Sequence, residues 1–510
     1  MAGRFPNSDD LESFWCTLQQ ELDLHRRVHP YRFDIDAHYD PTGKKLNSSH
    51  TQYGCFIERP GLFDPPFFNI SPREAYQTDP MGRLALVTAY EALEMSGSVP
   101  NRTPSSMLNR IGTFYGQTSD DWRTLNAAEK IDMYYIPGTN RAFATGRINY
   151  HFKFTGPSYD IDTACSSSFA AIQLACTSLL TKECDTTLAG GLNVMTSPDL
   201  FAGLSCANFL SITRSCKTFG DGADGFCRGD VVGTVVLKRL EDADNDQILA
   251  VVLGTATNHS SEAVSITRPH GPAQESLYRK ILNQTGVDPV DVSYVEMHGT
   301  GTQAGGGTEM KSITNVFALR DQGRRQPDQL IHLGALKSNI GHGEASAGVV
   351  SLIKTVIMMQ KSAITAHVGI KTTMNKQTPW LRPNGGKRRA YLNNFGASGG
   401  NTGLLLEDRP ALVPTGGRDP RPSFNIDRLA TYLESNPDTS LPALSYTTTA
   451  RRIHYPHRVS YAVRSISETL KLLKSIQPKA IKSHPISSGK IAFAFTEQGS
   501  HYTAFGKQTF

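Results

Sequence analysis

No stretch of this 510-residue sequence stays apolar for eighteen positions, so no membrane-spanning helix is expected. The first ten residues lack an apolar core, and no secretory leader is expected there. Cysteine is scarce: Cys16, Cys55, Cys165, Cys176, Cys184, Cys206, Cys216 and Cys227. That is too few for a disulfide scaffold and fits a reducing cytosol. No two of them share Cys-x-x-Cys spacing, so no structural zinc site is expected. An excess of one charge is also missing. Lys and Arg number 52, Asp and Glu 47, and a net +5 over this length is close to neutral. A dedicated nucleic-acid binder would show a concentrated basic face. The densest basic groups, Gly386-Lys387-Arg388-Arg389 and Arg451-Arg452, read as solvated surface. No internal repeat at solenoid periods is present. What remains is ordinary globular usage: 39% hydrophobic residues, rising to about half when the 44 glycines are counted. A disordered chain, a collagen and a coiled coil are excluded.

To about residue 410 the sequence is uniformly globular. Segments 232–240, 248–256, 292–296 and 331–335 are rich in Val, Ile and Leu without helical period, and predict strands. Residues 273–285 predict a helix between them. Strands alternating with helices predict an α/β fold with buried sheets. Pro410, Pro414, Pro420 and Pro422 with Gly416 and Gly417 mark a linker. Residues 425–485 predict a small mixed module with helices near 426–435 and 467–475. Residues 490–495 predict a short apolar strand running into Thr496-Glu-Gln-Gly-Ser500. A strand and glycine turn normally open a domain, so this sequence reads as part of something larger.

Four segments carry chemistry. The first is Asp160-Ile-Asp-Thr-Ala-Cys165-Ser-Ser-Ser168. Extended residues 156–161 precede it, and Phe169, Ile172, Cys176 and Leu179 follow at helical spacing. Cys165 thus sits where a strand turns into a helix. Unpaired N–H groups at a helix start carry partial positive charge, which stabilises a thiolate and can bind an oxyanion. A free cysteine in isolation is more often structural. The second segment is Val295-Glu-Met-His298-Gly-Thr-Gly-Thr302, with His298 at the carboxyl end of a strand, where α/β folds place ligands. Thr300 and Thr302 offer hydroxyls. The third is Leu336-Lys337-Ser-Asn-Ile-Gly-His342-Gly-Glu-Ala345, where His342 again follows a strand and precedes a helix that turns apolar over 349–359. Either histidine alone reads as structural; two at corresponding positions, with the helix-start cysteine, make a Cys/His/His set. The fourth is Asn393-Asn-Phe-Gly-Ala-Ser-Gly-Gly-Asn401, a glycine-rich turn between strands at 390–392 and 402–407. It lacks the Lys-Ser/Thr ending of a phosphate loop.

In this order the four motifs resemble the β-ketoacyl synthase family. Gly112-Thr-Phe-Tyr-Gly-Gln-Thr-Ser-Asp-Asp-Trp122 and Ala144-Thr-Gly-Arg-Ile-Asn-Tyr-His-Phe-Lys153 narrow the resemblance to the ketosynthase of fungal iterative non-reducing polyketide synthases. It covers residues 1–410. Residues 411–424 then read as a linker. Residues 425–487, with Tyr446-Thr-Thr-Thr-Ala-Arg-Arg452, resemble the module between ketosynthase and acyltransferase. Residues 488–510 resemble the opening of an acyltransferase, cut before its nucleophilic serine.

The resemblance implies a thiolase-like fold: two similar halves stacked as α/β/α/β/α layers, usually dimeric. It also implies roles. Cys165 would take an acyl chain from the phosphopantetheine thiol of an acyl carrier protein, with the N–H groups of Cys165 and Phe395 holding the thioester oxyanion. His298 and His342, neutral and donating, would stabilise the enolate left when malonyl-carrier decarboxylates. Lys337 and Glu309 would order the site, and Thr300 and Thr302 would contact the pantetheine arm. Two histidines set this branch apart from the chalcone-synthase type, which pairs one His with an Asn. The implied activity is decarboxylative Claisen condensation in polyketide secondary metabolism, in the cytoplasm. No metal and no directly bound cofactor are implied. The partners are malonyl and acyl thioesters, a second copy of the chain, and a carrier protein and acyltransferase supplied in trans or by a longer chain. Nucleic acid and membrane are not expected.

Some positions depart from the family pattern. Gly306 stands where an Asp is usual, Gly82 where a Gln is, and Val231 where a glycine of positive φ is. Residues 371–380 are shortened, and the first family strand, before Gly3-Arg-Phe-Pro6, reads as absent, leaving a sheet edge open. These departures motivate the alternative reading, an inactive remnant or a carrier-docking and dimerisation scaffold. A Cys/His hydrolase would share the nucleophile.

Overall fold

The computed structural model describes residues 1–410 other than 128–130, 244–245, 321–322, 326–328, 371–375 and 383–385, together with 426–450, 457–458, 461–475 and 482–483. The chain divides into two compact units. One is Met1–Ser96 with Asn101–Ala411, the other Gly97–Pro100 with Leu412–Phe510.

The larger unit uses one strand plan twice. Its first sheet holds β1 (Ala2–Arg4), β2 (Ile111–Gln117), β3 (Ser158–Ile161), β4 (Thr186–Asn193) and β5 (Val231–Lys238), in the order β1-β5-β4-β2-β3. From the β1 edge the pairs run antiparallel, antiparallel, parallel, parallel. Its second sheet holds β6 (Ala250–His259), β7 (Tyr294–Glu296), β8 (His332–Gly334), β9 (Arg389–Phe395) and β10 (Gly400–Asp408), in the order β6-β10-β9-β7-β8. The same four pair types recur in the same order. Chain order matches as well, which makes β3 the counterpart of β8, and β2 the counterpart of β7.

Helices α1 (Pro80–Ser96) and α2 (Ala142–Phe152) pack on the first sheet. Helix α3 (Ser167–Leu180) packs on β2 and β4 and also reaches β6 and β10. Helix α4 (Gly271–Thr285), with α5 (Gln303–Ile313) beside it, covers the second sheet, and α6 (Ala347–Lys361) packs on β5, β4 and β9. The layers are therefore α/β/α/β/α, with α3 and α6 in the middle. A helix with sheets on both sides has little use for a polar face. Accordingly α6 is buried without a break from Ala347 to Met359. One apolar cluster runs from Phe114 and Val235 through Phe169, Ile172, Val349 and Ile353 to Leu392 and Leu404. Small residues permit the close fit: a Cβ on Gly348 would lie 2.4 Å from the Phe169 ring.

The predicted strands and the helix at 273–285 form within a few residues of their expected bounds. Three expectations need correction. The edge strand is present: β1 pairs Ala2, Gly3 and Arg4 with Thr234, Gly233 and Val232. The Arg4 guanidinium anchors it on α1 through both Glu91 carboxylate oxygens, at 2.8 and 2.6 Å. Val231 needs no positive φ, because it is an ordinary buried strand residue opposite Asn193. Arg388 is not solvated surface. It is buried, with Nε bonded to both oxygens of Asp408 at 3.0 and 2.9 Å.

The smaller unit has α7 (Ile426–Ser435), α8 (Leu441–Ala450) and α9 (Ile466–Ser475) around Ala430, Leu433, Leu444 and Leu473. The 411–424 linker, Arg451-Arg452, the strand at 490–495 and part of the shortened 371–380 segment lie outside the described residues.

Candidate active site

Between the end of β3 and the start of α3 a tight turn carries Cys165. Ala164 takes a left-handed φ of +56°, which a residue with a Cβ adopts at some cost. Its N–H donates to Asp162 Oδ1 at 3.0 Å, and Thr163 N–H donates to Ser167 Oγ at 2.9 Å. Asn394 Nδ2 donates to the Cys165 carbonyl at 2.8 Å, tying the turn to β9. Cys165 is half-buried. Burial pushes its thiol up to about 11, helped by the Glu344 carboxylate and opposed by the Ala397 N–H, the Lys337 ammonium and its own N–H. The sequence reading expects a stabilised thiolate at this helix start; here desolvation outweighs the helix terminus.

His298 follows β7 and His342 follows β8, two adjacent strands of the second sheet. Their ring centroids are 5.5 Å apart at 83°. The Phe395 N–H donates to His298 Nδ1 at 3.3 Å, and the Glu344 N–H donates to His342 Nδ1 at 3.1 Å. A nitrogen that accepts carries no proton, so in both neutral rings the hydrogen sits on Nε2. Burial holds both imidazoles well below their ordinary range. The Lys337 ammonium adds to this in each, followed by His342 for His298 and Arg228 for His342. Both are neutral Nε2–H donors at physiological pH. Lys337 is buried as well; desolvation lowers its pKa against the pull of Glu296, Glu309, Cys216 and Cys165.

Glu309 reaches back from α5. Its Oε1 accepts the His298 N–H at 2.7 Å and Asn393 Nδ2 at 2.8 Å, and its Oε2 accepts the Gly299 N–H at 2.9 Å. Burial raises its pKa. Gly299 has φ +49°, and a Cβ there would lie 2.6 Å from Ala335 Cβ, so only glycine lets the loop turn away after His298. On that loop Thr302 caps α5, its Oγ1 accepting the Gly305 N–H at 3.2 Å, and Thr300 Oγ1 lies 3.4 Å from Thr302 Oγ1.

One expected donor is reassigned. The Phe395 N–H is committed to His298, and its ring lies 5.6 Å from that imidazole. The N–H facing the Cys165 sulfur belongs to Ala397, two residues on. The turn brings it there by close approach: a Cβ on Gly396 would lie 2.5 Å from the Thr163 carbonyl.

Beside the site, sequence reasoning missed two buried ion pairs among the described residues. Lys354, in the apolar α6, donates to Glu296 at 2.7 Å, and Glu296 accepts the Leu336 N–H at 2.8 Å, fixing the start of the Lys337 segment. A lone lysine in an otherwise apolar helix was the available signal. Arg228 pairs with Glu344 behind His342, and the backbone of the same strand holds His342: Cys227 O accepts the His342 N–H at 2.7 Å. No local pattern announced that pair, because 116 positions separate its members.

Comparison with known proteins gives three family matches: "Beta-ketoacyl synthase, N-terminal domain" at residues 1–243, "Beta-ketoacyl synthase, C-terminal domain" at 249–371, and "CurL-like, PKS C-terminal" at 424–473. The chain is 83% identical to the non-reducing polyketide synthase terA of Aspergillus terreus and 58% identical to the non-reducing polyketide synthase Preu8 of Preussia isomera. Each match covers all of this chain but only about a quarter (26% and 25%) of the relative. The aligned stretch runs to 542 positions against 510 residues here, so these relatives carry extra residues within it. Among solved structures, a ketosynthase from module 6 of the bacillaene synthase of Bacillus subtilis 168 matches with TM-score 0.79 and 30% identity, over 93% of this chain and 83% of that one. The oxazolomycin ketosynthase domain OzmH KS7 of Streptomyces albus JA3453 matches with TM-score 0.82 and 29% identity, over 93% and 86%.

Proposed function

The chain belongs to the β-ketoacyl synthase family, and we propose that its larger unit condenses acyl and malonyl thioesters during polyketide biosynthesis. The cycle has two steps. First, the Cys165 sulfur attacks an acyl thioester on the phosphopantetheine arm of a carrier protein. The acyl group moves to Cys165, and the thiol proton leaves with the pantetheine sulfur, so one thioester replaces another. The N–H groups of Cys165 and Ala397 bind the oxyanion; losing one such donor costs about 2.7–4 kcal/mol. Second, a malonyl thioester loses carbon dioxide. The electron pair released forms an enolate, whose oxygen the Nε2–H groups of His298 and His342 stabilise. The enolate carbon attacks the Cys165 thioester, a carbon–carbon bond forms, and the sulfur leaves and regains a proton. Lys337 and Glu309 position these groups, and Thr300 and Thr302 receive the pantetheine arm.

The observation that carries this reading is the histidine pair. Both rings have Nδ1 occupied by a backbone N–H, both are held neutral, and both keep an Nε2 proton for a negative oxygen. A Cys/His hydrolase needs an imidazole that accepts a proton, which this tautomer opposes.

We further propose residues 1–410 as the condensing domain, 411–424 as a linker, 425–487 as a linker module and 488–510 as the opening of an acyltransferase. The family match at 424–473 supports the third segment. Acyltransferase and carrier would come from a longer chain or in trans. The reaction would run in the cytosol, where Cys165 stays reduced, and in a homodimer joined along β3, whose outer edge has no strand partner among the described residues. The test is intact mass after incubation with a small acyl thioester. An adduct is expected that is absent from Cys165→Ala. His298→Ala and His342→Ala should keep the adduct but lose malonyl decarboxylation by at least about 100-fold. A well-folded chain that forms no adduct would leave the scaffold reading in possession.

A further inference from the structure

Three short strands lie beside the site. Arg26–Arg27 pairs antiparallel with Tyr53–Cys55, which pairs parallel with Arg228–Gly229. His25 precedes the first strand, Cys55 ends the second and Cys227 precedes the third. Distant in sequence, their donor atoms all lie within 4.8 Å of one another. The His25 side chain is 1% exposed, and both cysteines are buried. His25 Nδ1 is hydrogen-bonded to the Asp23 carboxylate. Its Nε2 is buried and makes no hydrogen bond among the described residues. Cys216 is buried too; its thiol lies against His25, and its sulfur accepts the Cys227 N–H at 3.3 Å.

A buried imidazole nitrogen without a partner costs about 1–3 kcal/mol. The groups around this one are sulfurs, and a carboxylate on the far ring nitrogen fixes the tautomer in which Nε2 presents a lone pair. That carboxylate–imidazole arrangement is how proteins orient a metal-binding histidine. Imidazole and thiolates together suit zinc(II). With Zn–S near 2.3 Å and Zn–N near 2.0–2.1 Å, tetrahedral ligand atoms lie roughly 3.5–3.8 Å apart. Each pair among His25, Cys55 and Cys227 must therefore close by about 1.3 Å at most. We propose that His25, Cys55 and Cys227, with Cys216 as fourth ligand, bind a structural zinc ion. Each ligand binds as thiolate or neutral imidazole, and any proton it carries before binding goes to solvent. The absence of Cys-x-x-Cys spacing does not weigh against the site, because strand pairing rather than a local knuckle collects the ligands. The ion would clamp residues 23–55 to the strand whose Cys227 carbonyl holds the His342 N–H.

The test uses the full chain, purified reduced from zinc-supplemented cells and freed of loose metal. Elemental analysis should find about one zinc per chain. Cobalt(II) exchanged into the site should show thiolate-to-metal charge transfer and tetrahedral d–d absorption. His25→Gln, Cys55→Ser and Cys227→Ser should lose the metal, while Cys176→Ser, at a half-buried cysteine outside the cluster, should keep it. Asp23→Asn should still load but hold zinc about 10- to 100-fold more weakly against a chelating dye. If the ligand variants fail to fold, the metal content and cobalt spectrum of the unmodified chain decide. A folded chain without zinc and without cobalt–thiolate absorption overturns the proposal. So does a metal-free chain whose Cys55 and Cys227 join in a disulfide, which would make them a redox pair.

Discussion

At residue scale the deciding quantity is desolvation. With the Cys165 thiol near 11, about one chain in ten thousand carries the thiolate at pH 7. Alkylation of Cys165 by iodoacetamide should then quicken about tenfold per pH unit from about pH 7 to 10, with no plateau. Peptide mapping at each pH reads this directly, and a plateau below about pH 9 would restore the low-pKa cysteine that a helix start suggests. Five residues before Cys165, on β3, lies Asp160. Burial, with Asp162 and Asp120 outdoing part of the pull of Arg141, pushes its carboxyl up to about 8, and its Oδ2 has no hydrogen-bond partner among the described residues. The folded state keeps this proton up to about pH 8; the unfolded chain loses it near 4. Between those values the unfolded state binds fewer protons, so Asp160 makes stability fall as pH rises. Asp160→Asn removes that slope. Relative to the parent, the variant should gain up to about 5 kcal/mol from pH 4 to 8 and little further above. Urea unfolding across that range checks it, and a difference independent of pH would refute it.

At element scale, helix α5 shows how local rules and tertiary needs divide one run of residues. Three glycines, Gly305, Gly306 and Gly307, sit inside it. A Cβ on Gly305 would lie 2.5 Å from Thr302 Oγ1, the capping atom, whereas on Gly306 it would meet the Thr218 carbonyl at 3.6 Å, and on Gly307 nothing within 4 Å. Gly306→Ala and Gly307→Ala should each stabilise by about 0.5–1 kcal/mol, because alanine loses less backbone entropy. Gly305→Ala should destabilise. Thermal melts of the three variants test the order, and equal shifts would mean the cap does not govern this turn. The same division explains what the sequence disclosed. Strand β5 and helix α6 announced themselves because elements buried on both faces run mainly apolar. Cys165, His298 and His342 were legible because each sits at a strand end beside small residues. Ala397 was not, since a backbone N–H has no sequence signature, and the Phe395 amide was spent on His298. Val231 misled because a glycine position in relatives need not require positive φ. The His25 cluster stayed hidden because only strand pairing collects it.

At the scale of the whole molecule, the doubled strand plan puts the chemistry on paired ends and leaves the halves with unequal edges. β6 lines its neighbour along nine register pairs, while β1 covers only three residues of β5. On the opposite side β3 pairs, among the described residues, with β2 alone, and it runs directly into the Cys165 turn. An open strand edge attracts another strand. Tyr159 on β3 is exposed, as are Tyr150 and Phe143 on α2, which packs against it. A second copy adding its β3 antiparallel to this one would satisfy the free amides, bury those rings and stiffen the strand that delivers the nucleophile. Covering β3 also desolvates Asp160 further, in the direction its proton already takes. The full chain should therefore sediment as a dimer. Tyr150→Lys combined with Tyr159→Lys places like charges across the axis and should raise the dimer dissociation constant at least about tenfold, a loss of about 1.4 kcal/mol. The acyl-adduct rate at Cys165 should fall in proportion to the monomer fraction. Dissociation that leaves that rate unchanged would separate assembly from catalysis, and a parent chain that stays monomeric at every concentration would rule out β3 as the joint.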